Sequence, residues 1–297
     1  MGAQANFLES RLSAVMREAI MYDYPPLAME NVGFAPMPGD FEGYVPGATQ
    51  FVVTFAEGTD PGYEASTASD MQTNETVIDM DFTEETIPVW NWFLTARYTL
   101  GEVDQAMASG RNVPSAKIAW AMQRGRHRHD NLAFLGNTFT KDSFARSDSV
   151  ADHATLSTTI VATEDADEIL DTLGTFISSV EVNSKGVFKA NRLAVSTEVY
   201  TKLAGTYRTN TSQNLLSTLR EAHSVSIDSI NALIDVSSGR AVAYNDNPTV
   251  GKNLILIEPE NLGVRDFKTY FEVPTRTQSA GFFWTKPLGA RYLNGTG

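Results

Sequence analysis

The chain has 297 residues, of which 42% are hydrophobic and 20% are charged, which is typical of a folded protein with a sizeable core. It contains no cysteine, and this excludes disulfides, thiolate catalysis and cysteine-ligated metals. The net charge of −13 argues against a general nucleic-acid-binding protein, because such proteins gain affinity by neutralising phosphates.

The charge is unevenly distributed along the chain. Residues 1–110 carry 17 acidic and 3 basic side chains, whereas residues 111–297 carry 19 acidic and 20 basic ones. The acidic part can be a well-hydrated surface, or it can dock on a basic surface of another subunit. No apolar run reaches the length of a membrane span, and the sequence predicts a soluble cytoplasmic product.

The first hundred residues are predicted to be mostly extended. An amphipathic helix at 5–20 precedes a proline-rich arm at 25–47, which is apolar enough to lie on another surface. A short strand is expected at 51–55, and the polar, acidic residues 57–73 are typical of a mobile tip.

Two alternating strands follow, at 77–83 and 87–99. The second is long and has aromatic residues on both faces, among them Trp90, Trp92 and Phe93. We therefore expect both of its faces to be covered, with a neighbouring chain as one candidate cover.

One long helix is predicted at 113–136, after a short helix at 100–110. Pro114 occupies a tolerated first-turn position, and Gly136 ends the helix where a left-handed cap is favoured. A narrow apolar stripe recurs at three- and four-residue spacing and consists of Ile118, Met122, Gly125, His129, Leu132 and Ala133.

The remaining sequence predicts an α+β region. A polar connection at 137–157 leads to helices at 163–182 (capped by Thr163), 198–204 and 212–223. Strands are expected at 191–196, 227–236, 240–244, 253–257, 267–273 and 281–286.

No motif of this sequence points to catalysis or to a bound cofactor. The phosphate-binding, dinucleotide-binding and nucleophile-elbow motifs are all absent. His127 and His129 are two residues apart, so on a helix they point in nearly opposite directions and cannot share a metal ion. A solvated or interfacial basic face is the better interpretation of this pair.

The order of these parts resembles that of the major capsid proteins of tailed bacteriophages with the Hong-Kong-97-type fold. Three short phrases carry the resemblance: EVDQA at 102–106, DNLAFLGN at 130–137, and an aromatic strand followed by PLGARY at 287–292. The same fold builds encapsulin compartments. The resemblance covers essentially the whole chain.

The resemblance implies four parts. Residues 1–50 would be an N-terminal arm, 51–100 an extended loop that reaches over an adjacent subunit, and 101–160 with 253–297 a peripheral domain whose spine helix is 113–136. Residues 161–252 would form an axial domain around the five- and six-fold axes. The covalent cross-link of some members needs a lysine, and residues 51–100 contain none.

The resemblance also implies a non-enzymatic protein without cofactor or metal that self-assembles as pentamers and hexamers into an icosahedral head around double-stranded DNA. Portal, scaffolding and decoration proteins would be its partners, with assembly in the host cytoplasm and no membrane association.

Independently of the family, the charge pattern suggests that the acidic loop of one subunit lies over the basic helix of its neighbour. The candidate contact residues are Asp79, Asp81, Glu84, Glu85, Trp90, Trp92, Arg111, Lys117, Arg124, Arg126 and Arg128. Two alternatives stay open: an encapsulin-like compartment shell, and an acidic α+β enzyme or binding module whose site has no motif.

Overall fold

A computed structural model describes residues 26–34, 36–38, 50–58, 80–109, 113–137, 142–208 and 211–297 of the chain. Side chains are described at 26–34, 86–104, 117–137, 142–208 and 211–297. The predicted helix at 5–20 and most of the polar tip at 57–73 lie outside the described residues.

The described elements follow one another in this order: α1 (Ala28–Asn31), β1 (Pro36–Pro38), β2 (Gln50–Gly58), β3 (Met80–Pro88), β4 (Trp90–Thr99), α2 (Leu100–Ser109), α3 (Val113–Leu135), β5 (Asp152–Thr155), α4 (Ala166–Asn183), β6 (Arg192–Val195), α5 (Thr197–Gly205), α6 (Leu215–His223), β7 (Ser226–Ser229), a 3-10 turn (Asn231–Leu233), β8 (Arg240–Tyr244), β9 (Gly251–Asn261), β10 (Arg265–Asp266), β11 (Tyr270–Trp284), a second 3-10 turn (Pro287–Gly289) and β12 (Ala290–Asn294).

The first sheet is built around the long strand β11. Strand β11 pairs antiparallel with β4 along one edge and with β9 and β10 along the other, and β1 adds to β9 in parallel. The helix α3, called the spine helix below, packs against β11, β4 and β9. This sheet therefore has one long helix as its cover on one face.

The second sheet has the order β5-β12-β8-β6-β7. Its core contains apolar side chains of α4, α5 and α6, including the fully buried Leu173, Phe176, Leu203 and Leu215. These helices have their apolar residues at three- and four-residue spacing, which places them on one side of each helix.

A separate two-stranded hairpin consists of β2 and β3. The register pairs Gln50 with Pro88 and Gly58 with Met80, so the hairpin leads directly into β4. A hairpin of two strands is marginally stable by itself in water, and it needs a surface to pack on.

An aromatic cluster joins the two sheets. Phe34 lies at its centre, with ring centroids 5.1 Å from Phe282, 5.7 Å from Tyr244 and 5.8 Å from Trp284. Phe144 lies 5.6 Å from Trp284 in the same cluster. Since these rings come from both sheets and from the segment 26–34, the cluster fixes all three relative to one another.

The structure corrects four local predictions. The strands expected at 267–273 and 281–286 are parts of the single strand β11. Residues 227–236 form a short strand and a 3-10 turn. Helix α4 begins after Asp165, whose carboxylate accepts from Asp167 N, and not after Thr163. The connection at 137–157 contains β5.

The division into arm, loop, peripheral and axial parts stays a prediction. Strands β5 and β12, which it assigns to the peripheral part, pair with each other, and β12 also pairs with β8 in the second sheet. In the part of the chain that the model covers, no helix combines the length and the apolar character needed to cross a bilayer.

The aromatic cluster yields a stability prediction. Phe34 is 3% exposed and Phe93 is 60% exposed, so Phe34→Ala should lower the free energy of unfolding by about 3–5 kcal/mol and Phe93→Ala by less than about 1 kcal/mol. Urea denaturation of the unassembled chain measures both. Equal losses would contradict the role given to Phe34.

Candidate functional site

The spine helix packs closely on the first sheet through its small and apolar residues. Gly125 is buried, and a Cβ added there would lie 3.1 Å from Cγ of Pro259 on β9. Leu132 and Ala133 are buried about two turns further along. The predicted apolar stripe is therefore the face that meets the sheet.

His129 lies inside this contact. Its side chain is 5% exposed, and its Nδ1 lies 2.5 Å from Oγ of Ser279, which also donates to the carbonyl of Leu254. Burial lowers the pKa of His129 from 6.5 to about 4, because the protonated ring would be charged in an apolar environment. The prediction of a solvated or interfacial basic face is thus wrong for His129.

Asp130 anchors the segment 26–34 to the spine helix. Its two carboxylate oxygens accept from Ala28 N at 2.9 Å and from Met29 N at 2.8 Å. Burial raises the pKa of Asp130, and the two backbone hydrogen bonds oppose this shift. A carboxylate with two backbone donors is a strong, directional contact, so it fixes where α1 begins.

Three basic residues lie along one exposed side of the spine helix. Lys117, Arg124 and Arg128 follow one another at seven- and four-residue spacing, which brings them to the same side of a helix. The guanidinium of Arg124 lies 5.3 Å from the ring of Trp120, and that of Arg128 lies 5.5 Å from the ring of Trp92. Such cation–π contacts hold long side chains in defined positions.

Lys117 is the most constrained of the three. Its Nζ lies 3.0 Å from Oε1 of Glu102, 3.2 Å from the carbonyl of Arg97 and 5.0 Å from the ring centroid of Tyr98. The hydrogen bond from Lys117 lowers the pKa of Glu102. Lys117 therefore joins the spine helix to the end of β4.

The other basic candidates lie elsewhere. Arg126 is exposed on a different side of the helix, beside a cavity of about 280 Å³ that Glu30, His129 and Glu258 also line. Arg111 lies outside the described residues. The helical period of 3.6 residues already predicts this difference, because residues i and i+2 of a helix do not share a face and Arg126 is two residues from both Arg124 and Arg128.

The acidic candidates belong to the hairpin. Asp81, Glu84 and Glu85 are positions of β3, opposite Glu57, Thr54 and Val53 of β2, and their side chains lie outside the described ones. Asp79 lies outside the described residues altogether. Trp90 and Trp92 are half-buried on β4, and Trp92 lies beneath Arg128.

Sequence reasoning missed Arg192, which joins the second sheet to the segment 26–34. Its guanidinium lies 2.9 Å from Asp246 and 3.2 Å from Asp228, and it donates to the carbonyl of Asn31 at 3.0 Å. Gly33, with a φ of +81°, leaves space for it, since an added Cβ would lie 2.9 Å from its Cζ. No sequence motif signals a contact between residues so far apart.

Among the residues that the structure describes, the arrangement offers surfaces for contact and no assembled catalytic group. Within the described ranges, no three histidine, aspartate or glutamate side chains are placed to hold a metal ion. A cleft of about 670 Å³ lies between the spine helix and the 3-10 turn at Asn231–Leu233, with His127 and Arg128 along it. Its lining is mixed, with apolar side chains such as Ile230 and Pro26 beside the charged Arg124, Arg128 and Asp130.

Solved structures share this architecture. The chain is similar to the capsid of Myoviridae Phage XM1, with a TM-score of 0.75 and 18% identity over 94% of this chain and 95% of that one. It is also similar to the capsid of a native GTA particle (TM-score 0.61, 11% identity, 93% and 92% covered) and to a structure from Mycobacterium phage Che8 (TM-score 0.58, 15% identity, 94% and 95% covered).

These similarities show that the chain has the Hong-Kong-97-type fold. The sequence matches the family model described as Major capsid protein over residues 64–296, and the chain belongs to that family. Comparison with curated proteins finds no match.

The family confirms several predictions. The chain is a capsid protein of the bacteriophage type that self-assembles into an icosahedral shell, and it is a structural protein and not an enzyme. The α+β prediction is confirmed as well, and neither the compartment shell nor the acidic enzyme or binding module is favoured.

The buried histidine predicts a specific pH dependence. The pKa of His129 is lower in the folded chain than in the unfolded one, so its contribution to stability is complete above pH 6.5 and is lost as the pH falls to about 4. This loss amounts to about 3 kcal/mol, since each pKa unit corresponds to about 1.4 kcal/mol.

The variant His129→Gln should remove this part of the pH dependence, because glutamine can bond to Ser279 and does not titrate. Urea denaturation of the unassembled chain between pH 7 and 4 measures the effect, with His223→Gln as the control at a partly exposed histidine. A pH profile of His129→Gln that matches the wild type would disprove the assignment.

Proposed function

We propose that the chain assembles as pentamers and hexamers into the head of a tailed bacteriophage that encloses double-stranded DNA. In this proposal, residues 1–50 form the arm, 51–100 the loop that reaches over an adjacent subunit, 101–160 with 253–297 the peripheral domain, and 161–252 the axial domain. The separate hairpin of β2 and β3 supports the extended loop, and the spine helix on the first sheet supports the peripheral domain, whereas β5 and β12 pair within the sheet of the axial part.

The observation that carries the contact proposal is the exposed basic side of the spine helix. Among the described residues, Arg124, Arg126 and Arg128 form no salt bridge, although Arg124 and Arg128 are held in place by tryptophan rings. The complementary charge lies in the acidic first third of the chain. Charge complementarity of this kind guides the register and the rate of association.

The remaining partners follow from the same proposal. Portal and scaffolding proteins, and decoration proteins where they are used, would meet the shell during its assembly in the host cytoplasm. The net charge of −13 supports an interior that holds DNA without sequence-specific binding, because phosphate neutralisation by the shell would be weak.

Charge reversal on the spine helix tests the contact. Arg124→Glu, Arg126→Glu and Arg128→Glu together should abolish shell formation and leave a folded chain, because the reversed charges at 124 and 128 would face the acidic loop and repel it. Negative-stain imaging and size-exclusion chromatography measure assembly, and circular dichroism measures the fold.

Two variants serve as controls. Reversal of the exposed Lys185, Lys189 and Lys268 changes the net charge by the same amount and should leave particles intact. Arg126→Glu alone should also assemble, since Arg126 lies on a different side of the helix from Arg124 and Arg128. Normal particles from the triple arginine variant would refute the proposed contact.

A further inference from the structure

Strand β4 has one edge that no described strand covers. The first sheet places β11 on one side of β4, and β4 is its outermost strand on the other. In an antiparallel ladder, the backbone N–H and C=O of one residue point to the same edge, and the edge alternates from residue to residue.

Three observations show which residues point to the open edge. The carbonyl of Pro274 accepts from Leu262 N on the β9 side, so Thr95, which is opposite Pro274, directs its N–H and C=O away from β11. In agreement, the carbonyl of Arg97 accepts from Lys117, and Thr99 N donates to Glu102.

The open edge is capped at one end only. The ion pair of Lys117 and Glu102 bonds to the carbonyl of Arg97 and to the N–H of Thr99. By the same alternation, the outward backbone groups of Asn91, Phe93 and Thr95 have no hydrogen-bond partner among the described residues. An uncapped edge of this kind is a template for an added strand.

A groove of about 330 Å³ runs between this edge and the spine helix. It is lined by Thr95 and Arg97 of β4 and by Lys117, Trp120 and Arg124 of the helix. A strand added to β4 would lie about 4.8 Å from it. This distance places the new strand in the groove, next to the side chains of Lys117 and Arg124. The groove therefore favours an extended, acidic segment.

We infer that the groove binds strand β3 of a second copy of this chain, which adds to the open edge of β4 at residues 91–95. Strand β3 carries Asp81, Glu84 and Glu85, and in the two-stranded hairpin one of its own edges has no described partner. Added strands gain affinity from backbone hydrogen bonds. Because side chains alternate between the two faces of a strand, either Glu84 or the pair Asp81 and Glu85 would face Lys117 and Arg124.

This inference rests on the proposed function and gives it a specific mode of contact. In place of a charge attraction between the acidic loop and the spine helix alone, it specifies backbone hydrogen bonds between β3 of one copy and β4 of another. The spine helix then supplies the charges beside the pairing and does not itself carry the contact.

Cysteine cross-linking in mixed particles tests the inference directly, because the chain has no native cysteine. One variant chain carries Thr95→Cys, and four other variant chains each carry a single cysteine at one of the positions 83 to 86 of β3. Each of the four is mixed separately with the Thr95→Cys chain. After co-assembly and oxidation, a disulfide between the two kinds of copy is expected for at least one of the four positions, since paired strands bring Cα atoms within about 5.5 Å.

The matched control pairs Thr95→Cys with Ser178→Cys on the exposed side of α4, and it should give no mixed dimer. The inference is overturned if particles form but no mixed dimer appears at any of the four positions. It is also overturned if Ser178→Cys gives as much mixed dimer as the β3 cysteines, and in both cases the proposed function stays intact. If the wild-type chain forms no particles, the proposed function fails and this inference fails with it.

A backbone variant gives a second test. Thr95→Pro removes an N–H that points away from β11, whereas Thr95→Val keeps it. Thr95→Pro should lose particle formation with little change in the unfolding midpoint of the unassembled chain, and Thr95→Val should assemble normally. Equal assembly of the two variants would contradict strand addition.

Discussion

The close packing of the spine helix on β9 and β11 is the contact on which the rest of the structure depends. Gly125 lets the helix approach Pro259, and the buried His129 bonds to Ser279 on β11 in the middle of the interface. Because one narrow stripe of the helix is used for this packing, the other sides remain available. One of them holds the segment 26–34 through Asp130, and another presents Lys117, Arg124 and Arg128 beside β4.

The segment 26–34 then joins the two sheets. Asp130 fixes its beginning to the spine helix, Tyr244 donates to the carbonyl of Val32, and Arg192 bonds to Asn31. Phe34 fills the space between rings from both sheets. A short stretch of chain therefore transmits the position of the spine helix to the second sheet, and the surfaces that the two sheets present to other subunits are held in one fixed geometry.

The sequence predicted most of this architecture where a periodic pattern was long. The helix expected at 113–136 is observed at Val113–Leu135, and its apolar stripe is the buried one. The sequence predicted two strands, at 267–273 and 281–286, where the structure has the single strand β11. This strand continues through Pro274, whose position opposite Thr95 directs no N–H to β4, and through Gly281, which adopts a φ of +80° next to Leu132. Contacts such as Arg192 with Asn31 depend on tertiary proximity, so no local pattern could reveal them. The open edge of β4 could likewise be identified only once its pairing with β11 was known.

The late position of β11 and β12 in the chain has a consequence for synthesis. Arg97 and Glu272, which are neighbours in the first sheet, are 175 residues apart in sequence, and β12 lies inside the second sheet. As the chain leaves the ribosome, both sheets lack a central strand until β11 and β12 have been made, and their apolar faces cannot be fully covered before then. Folding is thereby separated in time from assembly, because a nascent chain cannot present the finished edge of β4 and the basic side of the helix together.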